Sequence, residues 1–268
     1  SASETLRSMP VDDYLQAAGA ASRAIAADRP SSQGWGPQPF WFEPTAGEAG
    51  LPVQPFDMTR PDRIADVPVI CGTTLNELPP SMNAPEIEEM DWTALSERLE
   101  QDLGDRTEAA IAAARQDYPD ASPADVLSLV SSRRFRVQAV ELAERLAGRY
   151  EAGSGAPVWQ YIFAWQTPLF DGRPRAFHTS DVPFVFHNTD LVDTQTGGGP
   201  EPRALADHMT GHWAAFARHG NPNGAFVGDP AWPRFSTDNR ATMIFDTRST
   251  VMPAPDAALL SVLKQTLP

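Results

Sequence analysis

The chain has 268 residues and carries 35 Asp and Glu against 21 Lys and Arg, a formal net charge of −14. That balance excludes a nucleic-acid-binding protein, whose affinity rests on Lys and Arg meeting phosphates, and argues against an anionic membrane surface. No run approaches the roughly 18 apolar residues of a membrane span, and no basic stretch followed by an apolar core opens the chain, so a soluble protein is expected, cytoplasmic or secreted.

In chain order, the first predicted element is a helix over residues 8–27, with Ser8 as its N-cap, Pro10 in the first turn and Asp12 and Asp13 beside the positive end of the helix dipole. The stretch up to Pro55 is rich in Pro, Gly and aromatics and reads as irregular, with one short extended segment in "PFWFEP". "VPVICGT", residues 67–73, is a continuous apolar, β-branched run that suits a strand buried on both faces. Cys71 within it is the only cysteine, so no intrachain disulfide can form, and it reads as a small buried hydrophobe. Residues 91–150 read as three helices. Asp91 opens the first and Thr107 the second, which ends before Pro119; the third starts at the capping sequence Ser122-Pro123-Ala124-Asp125 and runs to Tyr150. The acids of residues 86–91 read as a solvated face leading into the first of these helices.

"PVWQYIFAWQ", 157–166, is the next strand, rich in aromatic and β-branched residues. Residues 203–219 form an amphipathic helix stopped by Gly220 and Pro222, with His219 beside its negative end. Trp213, Phe216 and Trp232 read as core. "ATMIFD", 241–246, is a short strand, and a final helix spans about 255–265. Strands alternating with helices define an α/β fold with a mostly parallel sheet. About three strands are visible, and two of them look buried on both faces. Such strands need neighbours to satisfy their edges, which predicts that the sheet is completed by a segment outside this chain.

In α/β sheets, ligands gather beyond the carboxyl ends of the strands. Glu77 lies just past the strand at 67–73, and His178 lies past the strand at 157–166. Two such loops at one sheet edge can bring a carboxylate to an imidazole, the acid–base part of a catalytic triad. On the residues alone, each has a plainer alternative: a solvated loop charge for Glu77 and a structural histidine for His178. His208 and His212 stand four apart on a helix, a spacing that can hold a metal. No Glu follows the first, however, and no third ligand is evident, so no metal site is expected.

Several segments together resemble the type-B carboxylesterases, the family of the cholinesterases and the bacterial para-nitrobenzyl esterases. "VPVICGTTLNE" is similar to the loop that carries the family's acid, usually Gly-Thr-x-x-Asp-Glu-Gly, and "PVWQYIFAWQTP" to the strand that follows. "AFHTSDVPFVFHN" resembles the family's His-Gly-x-Glu/Asp-x-Pro-Phe-Val-Phe-Gly-Asn. "HWAAFARHGNPN", "PAWPRF" and "ATMIFD" resemble the segments after it, in family order, and "LRSMPVDDYLQAA" resembles the segment that follows the nucleophile region in whole members.

The resemblance implies the C-terminal portion of an α/β-hydrolase. Residues 1–66 would be a helix plus an irregular connection, 67–78 the acid-bearing strand and loop, 79–156 a helical insertion, and 157–268 the rest of the core with the histidine loop. It implies that Glu77 is the triad acid and His178 the triad histidine, that Asp181 anchors the histidine loop behind them, and that Phe184, Phe186 and His187 line the substrate pocket, with plain packing the alternative for Phe184 and Phe186. Four positions depart from the family: Asn76 stands where it has Asp, and Leu78, Thr179 and His187 where it has Gly. Leu78 reaches a positive φ less easily than Gly, so the acid loop is expected to turn differently.

The largest departure is an absence. No Gly-x-Ser-x-Gly occurs in the sequence and no HGGG-type oxyanion segment; Gly153-Ser154-Gly155 lacks the pattern. The implied function is ester hydrolysis through a serine supplied, with the oxyanion hole, by an N-terminal half of the same enzyme. The substrate would be a small ester, no cofactor would be required, and this chain alone would be inactive. The alternative is a catalytically inactive hydrolase-like domain used for protein interaction.

Overall fold

The computed structural model describes residues 2–28, 47, 66–224 and 230–267. The chain divides into two compact units, Ser1–Ile64 and Ala65–Pro268. In the first, two helices replace the single expected one: α1 (Ala2–Ser8) and α2 (Val11–Asp28). Ser8 does not cap α2. It closes α1, its hydroxyl donating back to the carbonyls of Glu4 and Thr5 at 3.0 and 3.1 Å. The second helix starts after Pro10, whose carbonyl accepts from Tyr14 N–H at 3.0 Å, so the missing proline N–H falls at a helix start where it costs nothing. The extended segment expected in "PFWFEP" lies outside the described residues.

The second unit is built on a four-stranded sheet, β1 (Val69–Thr74), β2 (Val158–Phe163), β3 (Ala241–Phe245) and β4 (Thr250–Pro253), in that spatial order. The first three strands are parallel and β4 is antiparallel to β3. Sequence reading misses β4 because it is a short, mostly exposed edge strand ending in Pro253, with no apolar run to mark it. β2 and β3 are almost wholly buried, as befits inner parallel strands, whereas residues 69–72 of β1 are only half-buried. Among the described residues, β1 pairs with β2 alone, and its other edge carries no strand.

Between β1 and β2 come α3 (Trp92–Leu103), α4 (Thr107–Asp117), α5 (Pro123–Ser131) and α6 (Arg133–Glu151). The capping residues act as expected. Asp91 accepts from Ala94 N–H at 2.8 Å, and Ser122 and Asp125 form a reciprocal capping box. The third expected helix, however, is two. Ser132 sits at φ −84°, ψ −3°, and its hydroxyl donates to the Ser128 carbonyl at 2.8 Å, a local back-bond of the kind that bends helices.

Leu95, Leu99, Ile111, Val126, Val130, Val137 and Val140 form one apolar core among these helices. The C-terminal helix α10 (Ala257–Leu263) returns to add Leu259, Leu260 and Leu263 to it. Each fully buried Leu contributes about 1.5–3 kcal/mol, which is why the insertion and the C-terminus hold together.

After β2 come α7 (Val182–Val185), α8 (Asp193–Thr196) and α9 (Pro200–His219), the last closed by Gly220 at φ +66°. A second core joins β2 and β3 to α9 through Trp159, Phe163, Met209, Trp232 and Phe245. Trp213 and Phe216 pack against it. Trp232 is also fixed by polar contacts, its indole N–H donating to the Gln160 carbonyl at 3.1 Å and its backbone bracketed by the Asn223 side chain. His212 is buried here and meets the Pro222 carbonyl through Nδ1 at 2.8 Å, a core role rather than a ligand's.

Gly72 in β1 lies opposite Tyr161 in β2, and a Cβ at that position would collide with both the Tyr161 ring and its carbonyl oxygen. Gly72→Ala is therefore expected to lower stability by about 1–3 kcal/mol through overpacking, read as a lower midpoint in denaturant with an unchanged slope.

Candidate active site

The site begins with the register of two strands. Thr74, the last residue of β1, pairs with Phe163, the last residue of β2. The ladder then continues past both ends: Leu75 N–H donates to the Phe163 carbonyl at 2.8 Å and Asn76 N–H to the Ala176 carbonyl at 3.0 Å. The two following loops thus leave the same sheet edge side by side.

Glu77 is buried, with 7% of its surface exposed. One carboxylate oxygen accepts from Thr74 N–H at 2.9 Å, and the other lies 2.5 Å from His178 Nδ1. His178 is turned outward, its side chain 58% exposed, and the Phe135 ring lies beside it with centroids 5.7 Å apart. Loop positions 76 and 78, on either side of the acid, are tied to the insertion. Asn76 Nδ2 donates to Ser128 Oγ and Leu78 N–H to Ser132 Oγ, each at 3.1 Å. Leu78 does not take a positive φ, so its side chain imposes no strain and Glu77 reaches the imidazole.

The other two departures from glycine are different. Thr179 has φ +68° and His187 φ +54°, in the left-handed region that L-residues avoid. His187 Nε2 meets Asp207 of α9 at 2.6 Å, with both side chains about half exposed. Asp181 touches neither Glu77 nor His178. It accepts from the Tyr161 hydroxyl at 2.9 Å, and its carbonyl accepts from the N–H groups of Phe184 and Val185 at the start of α7. Burial first, and then the neighbouring Asp181 charge, raise the Tyr161 phenol well above its ordinary range, so it serves as a hydrogen-bond donor.

Of the residues expected to line a pocket, Phe184 is 1% exposed and packs on Phe163 and Trp165, so its ring belongs to the core rather than to an open pocket wall. Phe186 is 72% exposed. Cys71 carries a thiol that burial pushes up to about 12, which removes it as a nucleophile.

Sequence reading missed the Arg175 node. Its guanidinium is held bidentately by Glu88 at 2.7 and 2.9 Å, by Asp125 at 2.6 Å and by Ser81 Oγ at 2.7 Å. Glu88, expected on a solvated face, is instead committed to this network. Burial raises the Asp125 carboxyl, but hydrogen bonds from Arg175 and Ser122 outweigh it and hold the group below its usual value. Clefts of about 530 and 330 Å³ flank Arg175, and neither is lined by Glu77 or His178. Among the described residues, no group of three or more His, Cys, Asp or Glu is placed to hold a metal, and no helix is long and apolar enough to cross a membrane.

The model of the carboxylesterase family matches residues 3–259. The chain belongs to the carboxylesterase family. It is 26% identical over 226 residues to the para-nitrobenzyl esterase of Bacillus subtilis, covering 81% of this chain and 42% of that protein. To the phenmedipham hydrolase of Pseudarthrobacter oxydans it is 28% identical, covering 78% and 41%. Among solved structures, a Clostridium hathewayi esterase matches 98% of this chain and 49% of its own at 31% identity and a TM-score of 0.65. A Geobacillus stearothermophilus carboxylesterase matches 97% and 50% at 25% identity and a TM-score of 0.67. The fold of this carboxylesterase-family chain is accordingly that of the α/β-hydrolases, and the chain spans about half the length of the relatives it matches.

Two expectations follow for this carboxylesterase-family chain. Thr179→Gly removes left-handed strain at a β-branched residue, and after the extra entropy of an unfolded glycine is offset it should stabilise by about 0.5–1 kcal/mol in chemical denaturation. The second concerns Glu88, whose carboxyl is held below 4.5 chiefly by the Arg175 hydrogen bond. A depressed folded value contributes stability above the unfolded value and loses it as pH falls through the folded one. Glu88→Gln should therefore be less stable than wild type near neutral pH, with the gap closing as the pH falls through the lowered folded value, in urea unfolding.

Proposed function

We propose that this chain supplies the acid–base half of a serine ester hydrolase. The observation that carries the reading is the 2.5 Å contact between Glu77 and His178 Nδ1, with the opposite side of the imidazole turned outward. With Nδ1–H donated to the carboxylate, Nε2 is left as the base. It takes the proton of a serine hydroxyl as that oxygen attacks the ester carbonyl, then returns it to the leaving alkoxide. Glu77 fixes the tautomer and stabilises the imidazolium between these two transfers. Water repeats the sequence to release the acid and free the serine.

The serine and the oxyanion-hole donors come from an N-terminal half of the same enzyme. Three facts support this. The sequence has no Gly-x-Ser-x-Gly, the chain spans about half of its relatives, and the far edge of β1 carries no strand among the described residues. The substrate is a small carboxylic ester, a reading supported by the likeness to a para-nitrobenzyl esterase and a carboxylesterase. Asp181 and Tyr161 hold the histidine loop from behind, and Phe186 and His187 stand at its rim. In this reading no metal or organic cofactor takes part. Retention of the bonded acid–histidine pair speaks against an inactive interaction domain, because nothing in such a role requires it.

In the complete enzyme, Glu77→Gln and His178→Ala should each lower turnover of a short p-nitrophenyl ester by about 10³-fold or more, and the isolated chain should show no turnover above buffer. Near-wild-type turnover in either variant overturns the assignment. A fluorophosphonate probe that labels the complete protein excludes the inactive reading.

A further inference from the structure

Three residues of the helical insertion meet the acid loop and the histidine, two beside Glu77 and one at His178. Ser128, Ser132 and Phe135 stand at i, i+4 and i+7, so they share one helical face. The bend at Ser132 preserves that face, because Ser132 N–H still donates to the Ser128 carbonyl at 3.1 Å and Phe135 N–H to the Ser132 carbonyl at 3.1 Å. Ser128 Oγ accepts from Asn76, Ser132 Oγ accepts from Leu78 N–H, and the Phe135 ring lies against His178 at a 44° tilt.

The contacts are specific in direction. Ser132 commits its own proton to the Ser128 carbonyl, so its oxygen can only accept, and it accepts the N–H that immediately follows Glu77. Ser128 and Ser132 are 0% and 2% exposed, so water cannot replace either hydroxyl without rearrangement. Asn76 Oδ1 is buried with no hydrogen-bond partner among the described residues, which leaves the bond to Ser128 as the side chain's anchor. Among the described residues, Glu77 itself has only Thr74 N–H and His178 on its two carboxylate oxygens. The acid loop is thus tied to the insertion on either side of Glu77, through the Asn76 side chain and the Leu78 N–H, and its partner ring is packed by the next residue of the same stripe.

We infer that Ser128, Ser132 and Phe135 are positioning residues for the Glu77–His178 pair, so that the α5–α6 junction sets the geometry of the acid–base step. The inference rests on the esterase reading above for its effect on rate, but the positioning itself can be read without turnover.

The test uses the complete enzyme, with histidine-labelled protein for NMR. Ser132→Ala and Phe135→Leu should each lower kcat by about tenfold or more with little change in KM, as small misplacements of catalytic groups can cost up to roughly 10²-fold. In the same variants, the His178 Nδ1–H resonance should move towards its position in Glu77→Gln. Phe135→Tyr, which keeps the ring, should retain wild-type kcat within about twofold. A lower melting temperature with kcat and the His178 Nδ1–H resonance unchanged would show the stripe to be structural only and would overturn the inference. If Ser132→Ala does not fold, Phe135→Leu and Ser128→Ala are read by the same criteria. If Glu77→Gln leaves turnover intact, the esterase reading fails, yet a displaced His178 Nδ1–H resonance in Phe135→Leu would still uphold the positioning.

Discussion

The constraint on which the site depends is the in-register parallel pairing of β1 and β2. Because Thr74 and Phe163 are partners at the two carboxyl ends, both loops start at the same height of the sheet. The backbone bonds from Leu75 and Asn76 carry the ladder two residues further, until the acid loop rests on Ala176. A shift of one residue in this register would turn Glu77 away from His178, since successive residues face opposite sides. The pair is therefore specified by backbone hydrogen bonds before any side chain contributes.

Around that register the molecule places two apolar cores and one polar lattice. The core of α3 to α6 and α10 makes the insertion a rigid body, while the core of β2, β3 and α9 holds the histidine side of the sheet. Arg175 joins the two, three residues before His178, by binding Glu88 and Asp125 of the insertion. Such a network is costly to half-satisfy, and here the guanidinium has partners on all three nitrogens. Arg175 adopts φ +54°, a strained backbone held in place by these bonds. The histidine loop thus carries three non-glycine residues at positive φ between 175 and 187, each accompanied by a surrounding contact or by the onset of α7.

Much of this was legible in the sequence, for physical reasons that differ by element. β1, β2 and β3 announce themselves as apolar runs because buried parallel strands have no solvent face to alternate with. Asp91 and the box at Ser122 mark helix starts because their side chains satisfy free N–H groups locally. β4 was not legible, being an edge strand with an exposed face, and neither was the bend at Ser132, whose hydroxyl back-bonds to the Ser128 carbonyl while accepting from a loop 54 residues away. Glu77 and His178 were candidates through the shared sheet edge, and the resemblance to the type-B carboxylesterases singled them out. Arg175 was not, because its partners Ser81, Glu88 and Asp125 lie far from it in the chain and follow no periodicity. Phe184 and Phe186 look alike in sequence, but one is buried and the other exposed: α7 is a single turn, and residues two apart on it face different ways.

The unequal burial of the acid and the histidine bears directly on chemistry. Glu77 is withdrawn from water, so its oxygens are directed by Thr74 N–H and the imidazole rather than by solvent, and the low local dielectric strengthens both bonds. His178 is fixed at Nδ1 and along one ring face by Phe135, but open at its far side. One half of the imidazole is thus preorganised by this chain and the other half is presented outward. An orienting group must be dry and rigid to set a tautomer, whereas a base must be reachable by the proton it removes. In the proposed enzyme the surface that meets Nε2 would then exclude water as well as bring the serine, completing on one side the desolvation that this chain has already achieved on the other.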